Sequence, residues 1–250
     1  MKLEISEILG RISRSDSPAT IGNSSLDYVE EAMQAGDIEL AKDRLEYARK
    51  EWEIVHDMYA NWSTSFFTYI QKNYGEDAVE DAMRKILGSY YKSRYDKAMA
   101  ADTETQLQLT IEGLRGHLMG EGRRGELGVE DKGEYWQIEL APCSSGGIIN
   151  ERLAKGTEPN PELFGVSSEA HDWTWGKKGV GMYCGHCAFV NEILSIENYG
   201  HPMRVTQHTG AADGSCTWLI YKDPKDIPAE YYERVGKKAP EHAPRLAEES

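Results

Sequence analysis

Apolar residues recur at helical spacing from Leu26 to Leu118, and after Gly120 the spacing shortens to two. A chain that changes its hydrophobic period once has to place helices first and strands afterwards, which predicts an α+β fold. Ser25 is placed to cap a segment starting at Leu26, and Asp37, after Gly36, to cap a long one. In the long segment Leu45, Trp52, Val55, Tyr59, Trp62, Phe66 and Ile70 share one stripe, and Gly75 ends it. A third helix from Glu76 carries Val79, Met83, Ile86, Leu87, Tyr90 and Tyr91, so residues 26–98 read as a helical hairpin or small bundle with an aromatic seam. Thr103 and Gln106 resemble a capping box before the stripe Leu107, Ile111, Leu114 and Leu118. Residues 1–25, broken by Ser15, Ser17, Pro18 and Gly22, read as a short helix and a loop.

Beyond Gly120 a Gly-rich charged loop, residues 121–133, precedes a strand at 135–140 that alternates as a half-buried strand should. Pro142-Cys143-Ser144-Ser145-Gly146-Gly147 then forms a tight turn into a helix at 148–153. A long Gly- and Pro-rich loop, 155–179, carries His171, Asp172, Trp173 and Trp175 and has the length of a lid. The strand, turn and helix pattern repeats at 180–183, Cys184-Gly185-His186-Cys187, and Phe189, Val190, Ile193, Leu194 and Ile196. Residues 203–209 and the set Cys216, Trp218 and Ile220 read as a hairpin around Asp213-Gly214. The architecture predicted is an N-terminal helical bundle or hairpin followed by a small mixed sheet-and-helix domain. It divides into a helical subdomain at 1–100, an α+β metal- and ligand-binding domain at 101–224, and a short helix around Tyr231 with a mobile polar tail at 225–250.

Charge and composition exclude several partners. With 28 Lys and Arg against 42 Asp and Glu, the formal charge of −14 opposes nucleic acid and acidic membranes. No run approaches the roughly 18 apolar residues of a membrane span, and the acidic N-terminus is unlike a signal peptide, so a cytoplasmic location is expected.

All four cysteines, Cys143, Cys184, Cys187 and Cys216, fall in the second half of the chain. A Cys-x-x-Cys pair with two distant cysteines can give four thiolates to one metal, with zinc the default and iron or an iron-sulfur cluster as alternatives. Buried structural thiols and a redox pair are the competing readings. Cys143, near a helix start, can also be a nucleophile, because the dipole and free amides there favour thiolate; Gly146 and Gly147 supply oxyanion donors, and His186, His208 or His171 a base. Cys-Gly-His-Cys also matches the active-site tetrapeptide of protein disulfide isomerases, but the strand, helix and further strand of a thioredoxin-like domain do not follow it. The single Glu53-x-x-His56, with Asp57 next, reads as a solvated or core-edge pair on its helix.

Cys184 in a helix-opening turn, Gly200-His201-Pro202-Met203-Arg204-Val205, and Asp213-Gly214-Ser215-Cys216-Thr217-Trp218 together resemble the C-terminal half of the 4-vinyl-reductase-type ligand-binding domain and the related L-2-amino-thiazoline-4-carboxylic acid hydrolase family. The resemblance covers about 40 residues and implies a zinc held by cysteines like Cys184 and Cys216 beside a small-molecule pocket. Where the sensor members carry a Glu-x-x-Cys, this chain has Gln207-His208-Thr209-Gly210, so Cys187, Cys143 or His208 completes the set. The implied function is a zinc-binding, hydrolase-like enzyme acting on a small heterocyclic or carboxylate-bearing metabolite through Cys143 or metal-bound water. His208 or His186 is the base, and Trp136, Trp173, Trp175 and Trp218 are apolar walls. A sensor or carrier with a structural cysteine-rich metal site is the alternative, a Cys-Gly-His-Cys redox protein the second. The partners expected are a small molecule and a second copy of the chain, as in the sensor relatives.

Overall fold

In the computed structural model, residues 1–120, 126–208 and 214–246 are described. The Asp213 half of the expected Asp213-Gly214 turn, Thr209, Gly210, the first part of the 121–133 loop and the last four residues of the tail lie outside them. The chain forms two compact units, Met1–Val55 and His56–Ser250. The position expected for a boundary, residue 100, falls inside the second.

The first unit opens on a β-hairpin where a short helix was expected: β1 (Leu3–Ser6) pairs antiparallel with β2 (Arg11–Arg14), Ile5 opposite Ile12. Leu3, Ile5 and Ile12 alternate with polar residues, which suits period two, and Gly10 takes the positive φ of 63° that the turn requires. Arg14 knits the following loop, donating to Asp16 Oδ2 at 2.7 Å and to the carbonyls of Asn23 and Thr20 at 2.5 and 3.1 Å. Ser24, one residue before the expected cap, accepts from the Leu26 N–H and starts α1 (Ser25–Gln34). Asp37 caps α2 (Ile38–Tyr74) as its position suggested, through the Leu40 N–H at 3.0 Å.

The second unit contains the rest of α2, α3 (Glu76–Met99) and α4 (Thr103–Arg115). Asp102, and not Thr103, caps α4 by accepting from the Thr105 N–H at 2.8 Å. Its sheet is antiparallel throughout, in the order β3 (Glu126–Asp131), β4 (Tyr135–Ala141), β6 (Cys216–Tyr221), β5 (Val205–His208). β3 occupies part of the expected loop; as an edge strand with one neighbour it tolerates the charges that hid it.

The register puts Ile138 opposite Trp218 and His208 opposite Cys216. Ile138, Leu140, Cys216, Trp218 and Ile220 therefore share one face, covered by Leu107, Ile111 and Leu114 of α4. The opposite face carries Val205, Leu219 and Tyr221 against Tyr231 and Tyr232 of the short helix α8 (Ala229–Glu233). Between the sheet strands run α5 (Gly146–Lys155), then α6 (Gly185–Ala188), one π-helical turn over Phe189–Ile193, and α7 (Leu194–Tyr199). Residues 180–183, expected as a strand, make only the isolated bridge Val166 to Gly181, because Val180, Met182 and Tyr183 are enclosed in packed side chains. A helical first part followed by a small sheet with helices is the α+β architecture expected. Among the described residues no helix is long and apolar enough to cross a membrane.

Candidate functional site

The α4-facing side of the sheet meets the starts of α5 and α6 around a cavity of about 30 Å³ that is partly open to solvent. All four cysteines line it, with His117, His186, His208 and Arg204 and the walls Leu114, Leu140, Trp175 and Trp218. Cys143 reaches it because β4 ends there and the turn is braced: the Cys143 N–H donates to the Gly214 carbonyl at 3.0 Å and the Ile148 N–H to the Cys143 carbonyl at 2.9 Å. Gly147 approaches Gly214 so closely that a Cβ would overlap the Gly214 carbonyl, and a Cβ on Gly146 would meet Cys184 Sγ at 2.7 Å. Gly146 and Gly147 line the cavity as expected.

The thiols differ in state. Burial pushes the Cys143 thiol up, against the amides of Gly147, Ser145 and Gly146, which would favour the thiolate. Cys143 is a neutral thiol at rest, facing a nest of N–H groups that stabilises negative charge formed there. Cys184 is raised by burial and then by its thiol neighbours. For Cys187 burial also opposes ionisation, but His186 outweighs it and brings the thiol below its ordinary value. His186 Nε2 lies 3.6 Å from Cys187 Sγ, and His186 Nδ1 lies 2.5 Å from the Tyr183 carbonyl, which can only accept. His186 is thus committed to Cys187. The lowered thiol is the second of the Cys-x-x-Cys pair and owes its state to an imidazole, not to the helix start.

His208 stacks on Trp175, ring centroids 5.0 Å apart, and its Nδ1 is buried without a hydrogen-bond partner. Burial, then the charge of Lys177, brings it to about 4, so it is a neutral acceptor near pH 7. Glu192, fully buried on the π turn, fixes this wall: it accepts from Trp175 Nε1 at 2.9 Å, the Thr206 N–H at 2.8 Å and Arg234 Nη2 at 2.7 Å.

The residues that sequence reasoning missed sit behind Cys143. Ser145 Oγ lies 3.0 Å from His56 Nε2 and 2.5 Å from His117 Nδ1, and His56 Nδ1 lies 3.0 Å from Asp57 Oδ1. The consistent proton arrangement has Asp57 accepting from His56 Nδ1–H, His56 Nε2 accepting the Ser145 hydroxyl, and His117 Nδ1–H donating to Ser145. Burial lowers His117 to about 3, which keeps it neutral for that role. His56, read from the sequence as a solvated or core-edge residue, instead pins the cysteine turn. The separations of 89 and 28 residues gave no local signal for the network. Arg204, also missed, lines the cavity with its Nε buried and unpartnered.

Two of the expected walls lie elsewhere. Trp173 is a core residue, 0% exposed, stacked on His171 and pressed against Gly185. Trp136 does not line the cavity; on the sheet it sits under Lys222 Nζ, 4.4 Å from its ring centre. His171 is likewise drawn away, its Nε2 2.5 Å from Glu76 Oε2. Glu76 also accepts from the Ser168 N–H, Ser168 Oγ and Gln71 Nε2, so the expected lid is a loop anchored to the start of α3.

The thiols and imidazoles suit zinc in donor chemistry. Among the described residues, however, no group of three or more His, Cys, Asp or Glu is positioned to hold a metal ion. Comparison of the chain with models of protein families, with curated proteins and with solved structures finds no match.

Proposed function

We propose that the chain is a small-molecule hydrolase whose nucleophile is Cys143. The observation that carries this reading is Cys143 in a braced turn at the start of α5, lining the same cavity as Gly146, Gly147 and His208, whose Nδ1 has no hydrogen-bond partner. His208 takes the thiol proton as Cys143 Sγ bonds to an electrophilic carbon of a heterocyclic or carboxylate-bearing metabolite. The amides of Gly146 and Gly147 stabilise the oxyanion; the C–N or C–O bond breaks, with the proton passing to the leaving group. Water then cleaves the thioester and regenerates the thiol. Trp175 and Trp218 hold the apolar part of the substrate. The C-terminal resemblance to the thiazoline-carboxylate hydrolase family supports the same chemistry.

The test is acylation by p-nitrophenyl acetate, followed by mapping of the modified peptide. The expected result is a burst with the adduct on Cys143, lost in Cys143→Ser while the melting temperature is retained. An adduct on Cys187 alone, or none, overturns the assignment.

The second reading, a zinc or iron centre in a hydrolase, sensor or carrier, is favoured by one observation: all four cysteines line a single cavity, and none is in a disulfide. Metal analysis with a native thiol count separates the two. About one metal per chain with no reactive thiol supports the centre, and no metal with Cys143 reactive supports the nucleophile. Four cysteines outside any disulfide also fit a reducing, cytoplasmic setting. The exposed aromatic face of α2 and α3 fits a homodimer.

A further inference from the structure

A second cleft, of about 130 Å³, lies beside the thiol cavity between α3, α4 and the π turn. Leu114, His117, His186 and Arg204 belong to the walls of both spaces, so the cleft adjoins the thiol cavity at these four side chains. In a chain with 42 acids and 28 bases, no Asp or Glu among the described residues lines either space. Two guanidiniums do. Arg204 lies over the Trp218 ring, 5.5 Å from its centre, with Nε buried and unpartnered, and Arg94 makes one long bond, Nη2 to the Leu109 carbonyl at 3.4 Å. Neither has a carboxylate within ion-pair distance among the described residues. By contrast Arg84 meets Glu197 and Arg234 meets Glu192, each at 2.7 Å. Thr110, 4% exposed, lines the same cleft with its hydroxyl unpartnered.

A half-buried guanidinium with no carboxylate partner among the described residues, as at Arg204, is stabilised by an anion that arrives with the ligand, while Arg94 is exposed. A guanidinium fork offers two parallel N–H groups, the match for the two oxygens of a carboxylate. We propose that this cleft is an anion-selective vestibule in which Arg204 seats the carboxylate of a small substrate, with the Thr110 hydroxyl in the cleft wall and the exposed Arg94 at the mouth, and the remainder of the molecule is directed at the thiols. The assignment of the vestibule rests on its own charges; only the statement of what it feeds rests on the hydrolase reading. Seating one end of the substrate fixes the distance and approach of the other to Cys143, which is how binding energy is turned into rate.

The test uses two reagents of nearly equal size, iodoacetate and iodoacetamide, on the full chain, with the alkylated cysteine identified by peptide mass. Relative to glutathione, the anionic reagent should be favoured about tenfold at a cavity thiol, with saturation, and the preference should fall as salt is added. Arg204→Gln should abolish the preference, read as the ratio of the two rates because Arg204 also favours the Cys187 thiolate, Arg204→Lys should keep part of it, and Arg94→Gln provides a second variant nearer the surface. An unchanged preference in both Gln variants overturns the vestibule. If neither reagent alkylates a cavity thiol, the nucleophile reading fails, and calorimetry still decides the vestibule. Thiophene-2-carboxylate should then bind at least about tenfold tighter than thiophene-2-carboxamide, and inorganic phosphate should compete weakly. Equal affinity for acid and amide, or no binding of either, overturns the proposal, and stronger binding of phosphate overturns the carboxylate assignment.

Discussion

At the scale of single residues the site depends on two contacts that leave no room for substitution. A methyl group on Gly147 would run into the Gly214 carbonyl, and backbone on both sides leaves little that can move away. Gly147→Ala should therefore cost about 1–3 kcal/mol in urea unfolding, the usual range for overpacking, while Gly128→Ala, whose nearest neighbour would be 3.8 Å away, should stay within about 0.5 kcal/mol. Ser145→Ala removes the hydroxyl shared by His56 and His117 and leaves both buried nitrogens unpaired, so a loss of about 1–3 kcal/mol is expected, with faster alkylation of Cys143 as its turn loosens. Equal alkylation rates in wild type and variant would show that the network does not position the turn. What the sequence revealed at this scale was what is rare: four cysteines, a Gly-Gly turn, and tryptophans that could serve as walls. Ser145, His117 and Arg204 are common residues in polar surroundings; their roles come from chain segments far apart in sequence that meet only in the fold.

At the scale of elements, the helices were legible because their stripes run for three turns or more, whereas β1, β2 and β3 are too short or too charged to show a period. The 155–179 segment was legible as a loop but not as an anchored one, since its attachment depends on Glu76 in α3. Burial by itself would raise the Glu76 carboxyl; the bonds it accepts from the Ser168 N–H, Gln71, His171 and the Ser168 hydroxyl outweigh that and bring it to about 2. The unfolded chain's glutamate titrates near its ordinary value of about 4.3. Above that value both states are ionised and the full stabilisation is present. As the pH falls from about 5 toward 2 the unfolded state takes up a proton that the folded state does not, so this stabilisation is lost across that window. Glu76→Gln should lower the melting temperature at pH 7 and flatten its fall between pH 5 and 3 relative to wild type. Parallel melting curves across that range would show that Glu76 does not anchor the loop.

At the scale of the whole molecule, two forces act on any association between copies. The formal charge is −14, so bringing two chains together sets that charge against an equal one of the same sign. Against this stands an apolar surface on the second unit: Tyr59 is 51% exposed, Trp62 60%, Phe66 65%, Ile86 63% and Tyr90 78%. Clusters of large exposed side chains on this scale are uncommon on monomers and mark surfaces that another molecule covers. Their spacing at three and four residues along α2 and α3 makes them faces of helices, and a groove of Phe66, Phe67, Ile70, Ile86 and Tyr90 continues to Tyr183 and His186 at the rear of the thiol cavity. The composition pointed to a solvated acidic protein, while the same aromatic stripe was read from the sequence as core; the fold leaves part of it uncovered. If the apolar surface dominates, sedimentation equilibrium should show a dimer whose association strengthens with added salt, because salt screens the charge and leaves the apolar term. Trp62→Glu and Phe66→Glu should each weaken association by about tenfold or more with melting temperature and helix content unchanged, since both side chains are already exposed. A wild-type chain that stays monomeric at high salt, or a dimer indifferent to both changes, would assign those aromatic residues to a surface that no second copy covers.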